Sequence, residues 1–396
     1  MVSEKMLALG KSPSKIRDLF EYGNRRKAEI GAENVFDYSI GNPSVEPPEK
    51  VREVILELLS TSDSVALHGY TSAQGDREVR QSICDYVNRT HGTSLTADHF
   101  YMTCGAAASL TISLRALCAE EGDEFLTFAP FFPEYRVFTE SVGGSFDAVP
   151  CDPTDFQPDV EALRERLTPK TRGVLINSPN NPSGAVITAG TLTKLCDVLR
   201  EKSEEFGHPI VLIADEPYRE LVYGDVEVPY PMNYYDDTIV CYSYSKSLSL
   251  PGERIGYIAV SDRMKDERDV YFAICGAGRS LGYVCAPSLM QRVVSRCQGM
   301  TSDVSIYRKN RDILAGALTK YGFRVVQPDG AFYLFVEAME PSAEAFAERA
   351  KEYELLLVPS DSFGLPGFVR ISYCVSTEMI ERSLPAFEKL AKSYQK

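Results

Sequence analysis

The chain has 396 residues, 44% hydrophobic and 25% charged, the balance of a globular protein with a sizeable buried core and room for about two domains. Its formal net charge of −14 argues against a nucleic-acid partner, whose phosphates require a surplus of Lys and Arg, and equally against an anionic membrane surface. No run is long enough to span a membrane, the start MVSEKMLALGKSPSK lacks the apolar stretch of an export signal, and the ten cysteines form no CxxC pair, so a cytoplasmic protein with reduced thiols is expected.

In chain order, IRDLFEYGNRRKAEIG (16–31) has the apolar period of a helix but no strand partner nearby. Seven short β-branched or aromatic runs follow: HFYMTC (99–104), DEFLTFAP (123–130), GSFDAVP (144–150), GVLINSP (173–179), PIVLIAD (209–215), TIVCYSYS (238–245) and GYIAVS (256–261). Amphipathic segments such as ASLTISLRALCAEEG and TAGTLTKLCDVLREKSEEFG lie between several of them. Runs buried on both faces and separated by helices predict an α/β domain, a mostly parallel sheet flanked by helices. From about residue 286 the pattern changes to a long helical stretch over 287–322, strands around FRVVQPD, AFYLFVEA and FVRISYCV, and a closing helix. The expected division is a large domain over 45–285 and a smaller α+β domain built from 1–44 and 286–396.

In open parallel sheets, ligands bind beyond the carboxyl ends of the strands, so the polar residues just after each apolar run are the informative ones. TCGAAASL gives a strand, a glycine and a helix start, where the backbone amides of Ala106 and Ala107 suit a phosphate, although many helices begin this way. LINSPNNPSG places Asn181 as a donor in what is also an ordinary turn composition. VLIADEPYREL ends a strand on Asp215, with Tyr218 three residues on. Asp215 is either the cap of a following helix or a buried carboxylate able to keep a pyridine nitrogen protonated.

A lone lysine after a strand is ordinarily a solvated surface residue. In SYSKSLSLPGERIGY, however, Lys246 is flanked by Ser243 and Ser245 and followed by Arg254. Two hydroxyls and a guanidinium suit a phosphate, and neighbouring cations prepare an amine for Schiff-base chemistry. Arg370 lies inside the apolar strand GFVRISYC and needs a partner, which a substrate carboxylate would supply. Histidines 68, 91, 99 and 208 lack ligand spacing, so no metal is expected.

Taken together, and in the same order from about Ile40 to Ser372, these motifs resemble the class I/II aminotransferases of pyridoxal-phosphate-dependent fold type I, the aspartate aminotransferase-like superfamily. The strongest element is S-x-S-K followed by L-x-G-x-R-x-G-Y, present as Ser243, Ser245, Lys246, Leu250, Gly252, Arg254, Gly256 and Tyr257. The resemblance implies pyridoxal 5′-phosphate held as a Schiff base by Lys246, which also moves the proton between the substrate Cα and the cofactor. It implies Asp215 on the pyridinium nitrogen, Tyr218 and Asn181 on the ring oxygen, and Phe132 stacked on the ring. The phosphate falls to Ala106, Ala107, Ser243 and Arg254, and the substrate α-carboxylate to Gly41, Asn181 and Arg370. Tyr70 matches a tyrosine that reaches the neighbouring subunit's phosphate, which implies a homodimer with shared active sites. The implied reaction moves an amino group between an L-amino acid and a 2-oxo acid by a ping-pong route.

Three positions bear on the details. Phe132 stands where many members carry tryptophan. Ala107 stands where one bacterial aspartate and prephenate subgroup has a lysine for the distal carboxylate. Arg279 lies within a residue of another subgroup's distal-carboxylate arginine, contributed across the dimer; a surface or ion-pair role is the alternative. Two other functions share the pattern. A C–S β-lyase has the same early chemistry, whereas a non-catalytic regulatory domain that senses the cofactor is opposed by the acidic charge and by the early start of the enzyme-like segment.

Overall fold

A computed structural model describes residues 2–11 and 14–395. Strands β1 (Phe100–Thr103), β2 (Glu124–Phe128), β3 (Ser145–Val149), β4 (Thr171–Asn177), β5 (Val211–Asp215), β6 (Thr238–Ser243) and β7 (Gly256–Val260) build one sheet in the order β1-β7-β6-β5-β4-β2-β3. Neighbours from β2 to β6 pair in parallel, and β7 alone is reversed against both β6 and β1. Strands β5 and β6 are buried along their whole length, which explains continuous runs such as VLIAD where a half-exposed strand would alternate.

Both faces of the sheet are covered. Val51, Val79, Leu192 and Leu195, from helices Glu49–Thr61, Arg77–His91 and Ala189–Phe206, share one apolar cluster with Leu212 and Val240. Leu110 and Ile274, from helices Ala106–Leu117 and Glu267–Ser280, pack with Ile213 and Ile239 on the other face. Successive strand residues point to opposite faces, so a single strand feeds both cores.

The smaller lobe centres on an antiparallel sheet of β8 (Tyr333–Glu337), β9 (Val358–Pro359) and β10 (Phe368–Ser372), in the order β9-β10-β8. Helices Val304–Tyr321 and Thr377–Ser393 pack on it through Leu314, Leu318, Ile380 and Phe387. The N-terminal segment joins this lobe: Phe36–Asp37 pairs in parallel with Leu355–Leu356, and Tyr38 lies in the same apolar cluster.

Two expectations for the C-terminal third need correction. FRVVQPD is not a strand, since it meets β8 at a single bridge, Val325 to Val336. The chain beyond it is diverted, because the amides of Asp329 and Gly330 both donate to the Gly184 carbonyl instead of continuing along β8. The helical stretch over 287–322 is two helices, Ser288–Ser295 and Val304–Tyr321, separated at Gly299 with φ 76°. Met290 and Val294 of the first pack in the large sheet's core and Leu314 of the second in the small lobe's, so the two lobes draw the helices apart. Among the described residues, no helix is long and apolar enough to cross a membrane.

Candidate active site

The carboxyl ends of β4, β5 and β6 and the start of helix Ala106–Leu117 open onto a cleft of about 280 Å3, closed from the small-lobe side by Tyr333 and Arg370. The cleft is lined by Gly41, Ala106, Ala107, Phe132, Asn181, Asp215, Tyr218, Ser243, Lys246, Arg254 and Arg370. These residues come from seven separate stretches of chain, and the fold brings them to one place. Tyr70 is not among them; its side chain is 95% exposed on the surface.

Lys246 sits on the one-turn helix Tyr244–Ser247, directly after β6, with Ser243 as the cap. Its Nζ donates to the Gly41 carbonyl at 2.7 Å. Burial, reinforced by the positive charges of Arg370 and Arg254, pulls the amine down from 10.5 to about 8. A neutral amine is the nucleophile, so its reactivity grows as pH rises through that value. We expect the ligand-free protein to condense with an uncharged aldehyde in a pH-dependent way centred near 8. Rate against pH, with the reduced adduct located by mass spectrometry, checks this; a midpoint near 10.5 would show a solvated lysine.

Asp215 ends β5 and is 5% exposed. Its Oδ2 accepts from the Tyr135 hydroxyl at 2.5 Å and from Asn177 Nδ2 at 3.5 Å, and Asn177 also donates to the Asp215 carbonyl at 2.8 Å. The side chain caps no helix, which removes the capping alternative. Its Oδ1 is buried and has no hydrogen-bond partner among the described residues. Burial raises the carboxyl from 3.8 to about 7, with the Tyr135 hydrogen bond acting in the opposite sense. A buried acceptor of this kind calls for a cationic donor from a ligand in the cleft.

Opposite Asp215, Ser243 Oγ and Ser245 Oγ lie 2.8 Å apart. Beside them the helix beginning at Ala106 presents its unpaired amides. Arg254 adopts φ 52°, ψ 61°, a conformation unusual for a side-chain-bearing residue, and its guanidinium stands against Gly105. A Cβ at position 105 would approach that guanidinium to 2.9 Å, and the φ of 88° at Gly105 is what favours glycine there. No carboxylate pairs with Arg254 among the described residues. Two hydroxyls, helix-terminal amides and a guanidinium without a carboxylate partner are donors chemically suited to a phosphate dianion.

Arg370 lies in β10, 2% exposed, with NH1 donating to Asn181 Oδ1 at 3.0 Å and NH2 to the Ser39 carbonyl at 2.6 Å. Its ring neighbours are Tyr333 at 4.7 Å and Phe363 at 5.3 Å. Its Nε has no partner, and no carboxylate neutralises it among the described residues. Burial accordingly pushes the guanidinium below its ordinary value. A buried cation without a carboxylate partner is costly unless an anion arrives, so Arg370 is chemically suited to receive one. Arg370 occupies the oxygen of Asn181, which leaves the Asn181 amide nitrogen to donate into the cleft.

Several participants escaped the sequence reading. Tyr135, one helical turn after Phe132, anchors Asp215 and meets the Phe132 ring edge-on at 5.7 Å. Tyr333 hydrogen-bonds the Tyr218 hydroxyl at 2.9 Å and stands so close to Gly41 that a Cβ there would fall 2.0 Å from its oxygen. Ile16 and Ile40 line the open side. Tyrosines and isoleucines in such runs look like ordinary core, so no sequence signal separated them. Arg279 is exposed on the last turn of helix Glu267–Ser280, outside the cleft and without an ion pair among the described residues.

Comparison with known proteins follows the same outline. Residues 33–387 match the family model for aminotransferase class I and II. The chain is 28% identical over 386 residues to a probable aspartate aminotransferase of Methanocaldococcus jannaschii, covering 96% of this chain and 97% of that one. An aromatic-amino-acid aminotransferase of Thermococcus litoralis is also 28% identical, over 402 residues and 96% of each chain. Among solved structures, an amino transferase from Eubacterium rectale superposes with a TM-score of 0.98 at 57% identity over the whole of both chains.

Proposed function

The chain belongs to the class I and II aminotransferases, a pyridoxal-phosphate-using family, and from that premise we propose that the cleft around Lys246 is its active site and holds pyridoxal 5′-phosphate. The observation that carries the assignment is the pairing, across one cleft, of a lysine amine pulled down to about 8 with a buried carboxylate whose Oδ1 lacks a partner. The donor set fits the group. Ser243, Arg254 and the amides of Ala106 and Ala107 would take the phosphate, Asp215 the ring nitrogen, Tyr218 and Asn181 the ring oxygen, and Phe132 one ring face. Once bound, the cofactor supplies an electron sink for the carbanion at the substrate Cα.

The protein's own groups do the rest. Arg370 receives the α-carboxylate, with Asn181 and the glycine backbone at Gly41 beside it, and so orients the Cα hydrogen toward Lys246. Lys246 removes that proton and later returns one, a task suited to an amine whose affinity for protons lies near working pH. Asp215 stays ionised against a ring cation, and Tyr135 holds its orientation. The same groups run the sequence in reverse with a second 2-oxo acid, which gives two half-reactions.

We carry three further points as proposals. Tyr70, exposed on the surface, serves the phosphate of a second subunit, making a homodimer with shared sites. The cytoplasm is the expected compartment. The chain divides into a large domain over 45–285 and a small one from 1–44 and 286–396, although the packing of Met290 and Val294 in the large sheet's core favours a boundary somewhat later than 285. The test of function is to load the protein with pyridoxal phosphate and screen L-amino acids by loss of its visible absorption. A 2-oxo acid product, together with a requirement for an oxo-acid acceptor in continued turnover, is expected. Pyruvate and ammonia released without any acceptor would point to C–S elimination instead.

A further inference from the structure

We infer that the substrate amino acid carries an apolar side chain, aliphatic or aromatic, and that Ile40 and Ile16 are the residues that select it; this rests on the aminotransferase assignment above. The argument starts from the extended segment Ser39-Ile40-Gly41. The Ser39 carbonyl accepts from Arg370 at 2.6 Å, and the Gly41 carbonyl accepts from Lys246 at 2.7 Å. Ile40 is therefore threaded between the group that takes the α-carboxylate and the group that works on the Cα proton. Its side chain lines the cleft and remains 39% exposed, which puts it where a substituent on Cα would lie. Ile16, from the first turn of helix Lys15–Ile30, also lines the open side.

The charges in the cleft point the same way. Its cations are Lys246, Arg254 and Arg370, and each has a task in the reaction already. Ala107, one residue into the helix that offers its amides, adds no charge. A second carboxylate on the substrate would thus enter a space bordered by Ile40 and Ile16 with no cation of this chain left among the described residues to receive it, which is unfavourable. An apolar substituent gains from leaving water at the same walls. Arg279, exposed and outside this cleft, is the one cation that a second subunit could bring to it from the positions singled out in the sequence.

The experiment compares the cofactor-loaded protein with leucine, methionine and phenylalanine against aspartate and glutamate, by kcat/KM for the first half-reaction. In parallel, the amine-free carboxylates 4-methylpentanoate and glutarate are titrated calorimetrically. The apolar amino acids are expected to lead by at least about tenfold, and 4-methylpentanoate to bind about tenfold more tightly than glutarate. Ile40→Ala should cost leucine and methionine roughly tenfold in kcat/KM while alanine changes by less than about twofold. Ile16→Lys, on a half-exposed helix face, should narrow the gap by raising kcat/KM for aspartate and glutamate about tenfold. Aspartate or glutamate as the preferred substrate of the unaltered protein overturns the inference and leaves the aminotransferase assignment standing. Loss of that preference in Arg279→Ala would then identify a cation lent by the second subunit. Failure of every amino acid to bleach a protein that retains its cofactor would overturn both.

Discussion

Lys246→Ala is expected to lose turnover by about 10²–10⁴-fold or more, because one amine serves as attachment point and as the acid–base group for both carbon atoms. The far-ultraviolet circular dichroism should be unchanged. Among the described residues only the Gly41 carbonyl depends on that amine for a hydrogen bond, so the fold does not lean on it. The cofactor should still bind through the phosphate clamp of Ser243, Arg254 and the helix-terminal amides, but it should dialyse away after borohydride treatment, whereas in the unaltered protein it becomes permanently fixed to the peptide bearing Lys246. A variant that turned over at the native rate would refute the assignment.

The second large effect is expected at Asp215. Asp215→Asn keeps the shape and removes the charge, and turnover should fall by about 10²–10³-fold, the scale found when one preorganised electrostatic group is deleted from a buried site. The substitution also has a signature that does not involve catalysis. In the ligand-free protein the Asp215 carboxyl sits near 7 against an ordinary 3.8, so between those values the folded state holds a proton that the unfolded chain has released. This group's contribution to stability is full below 3.8 and is lost as pH rises through about 7. Thermal unfolding at pH 5 and pH 7 should therefore show a smaller drop in Asp215→Asn than in the unaltered protein. Binding of the cofactor should shrink the drop in the unaltered protein too, because a ring cation favours the ionised carboxylate. Tyr135→Phe should move the Asp215 midpoint further upward, since the 2.5 Å hydrogen bond it removes favours the charged form.

Much of the site was legible because its chemistry is local in sequence. Ser243, Ser245, Lys246 and Arg254 fall within twelve residues, and Asp215 and Tyr218 within four, at ends of strands whose apolar runs announce themselves. The sheet was legible for the same reason: strands buried on both faces leave little doubt about their type. What stayed hidden depends on contacts between distant segments. Tyr135 reaches Asp215 across 80 residues within the large domain, and Tyr333 reaches Tyr218 across 115 from the small one; both look like core aromatics in the sequence. FRVVQPD has the composition of a strand, but it meets β8 only at the Val325–Val336 bridge and its end turns away to the Gly184 carbonyl through Asp329 and Gly330. Likewise the stretch over 287–322 has a continuous helical period, and the split arises because two different cores claim its halves.

The segment Ser39-Ile40-Gly41 also bears on the order in which this protein assembles. Its two hydrogen bonds into the site close loops of 205 and 331 residues in a chain of 396. Closing loops of that size costs entropy that only a largely assembled structure repays. The expected order is therefore helices and parallel sheet first, with residues 39–41 bridging Lys246 and Arg370 afterwards. During synthesis the waiting time is longer still, since residues 39–41 emerge early and Arg370 lies near the end of the chain. The active site is thus completed only by the C-terminal lobe, and a chain broken off before β10 would keep Leu355–Leu356, the partner of Phe36–Asp37, yet lack the Arg370 contact that holds Ser39.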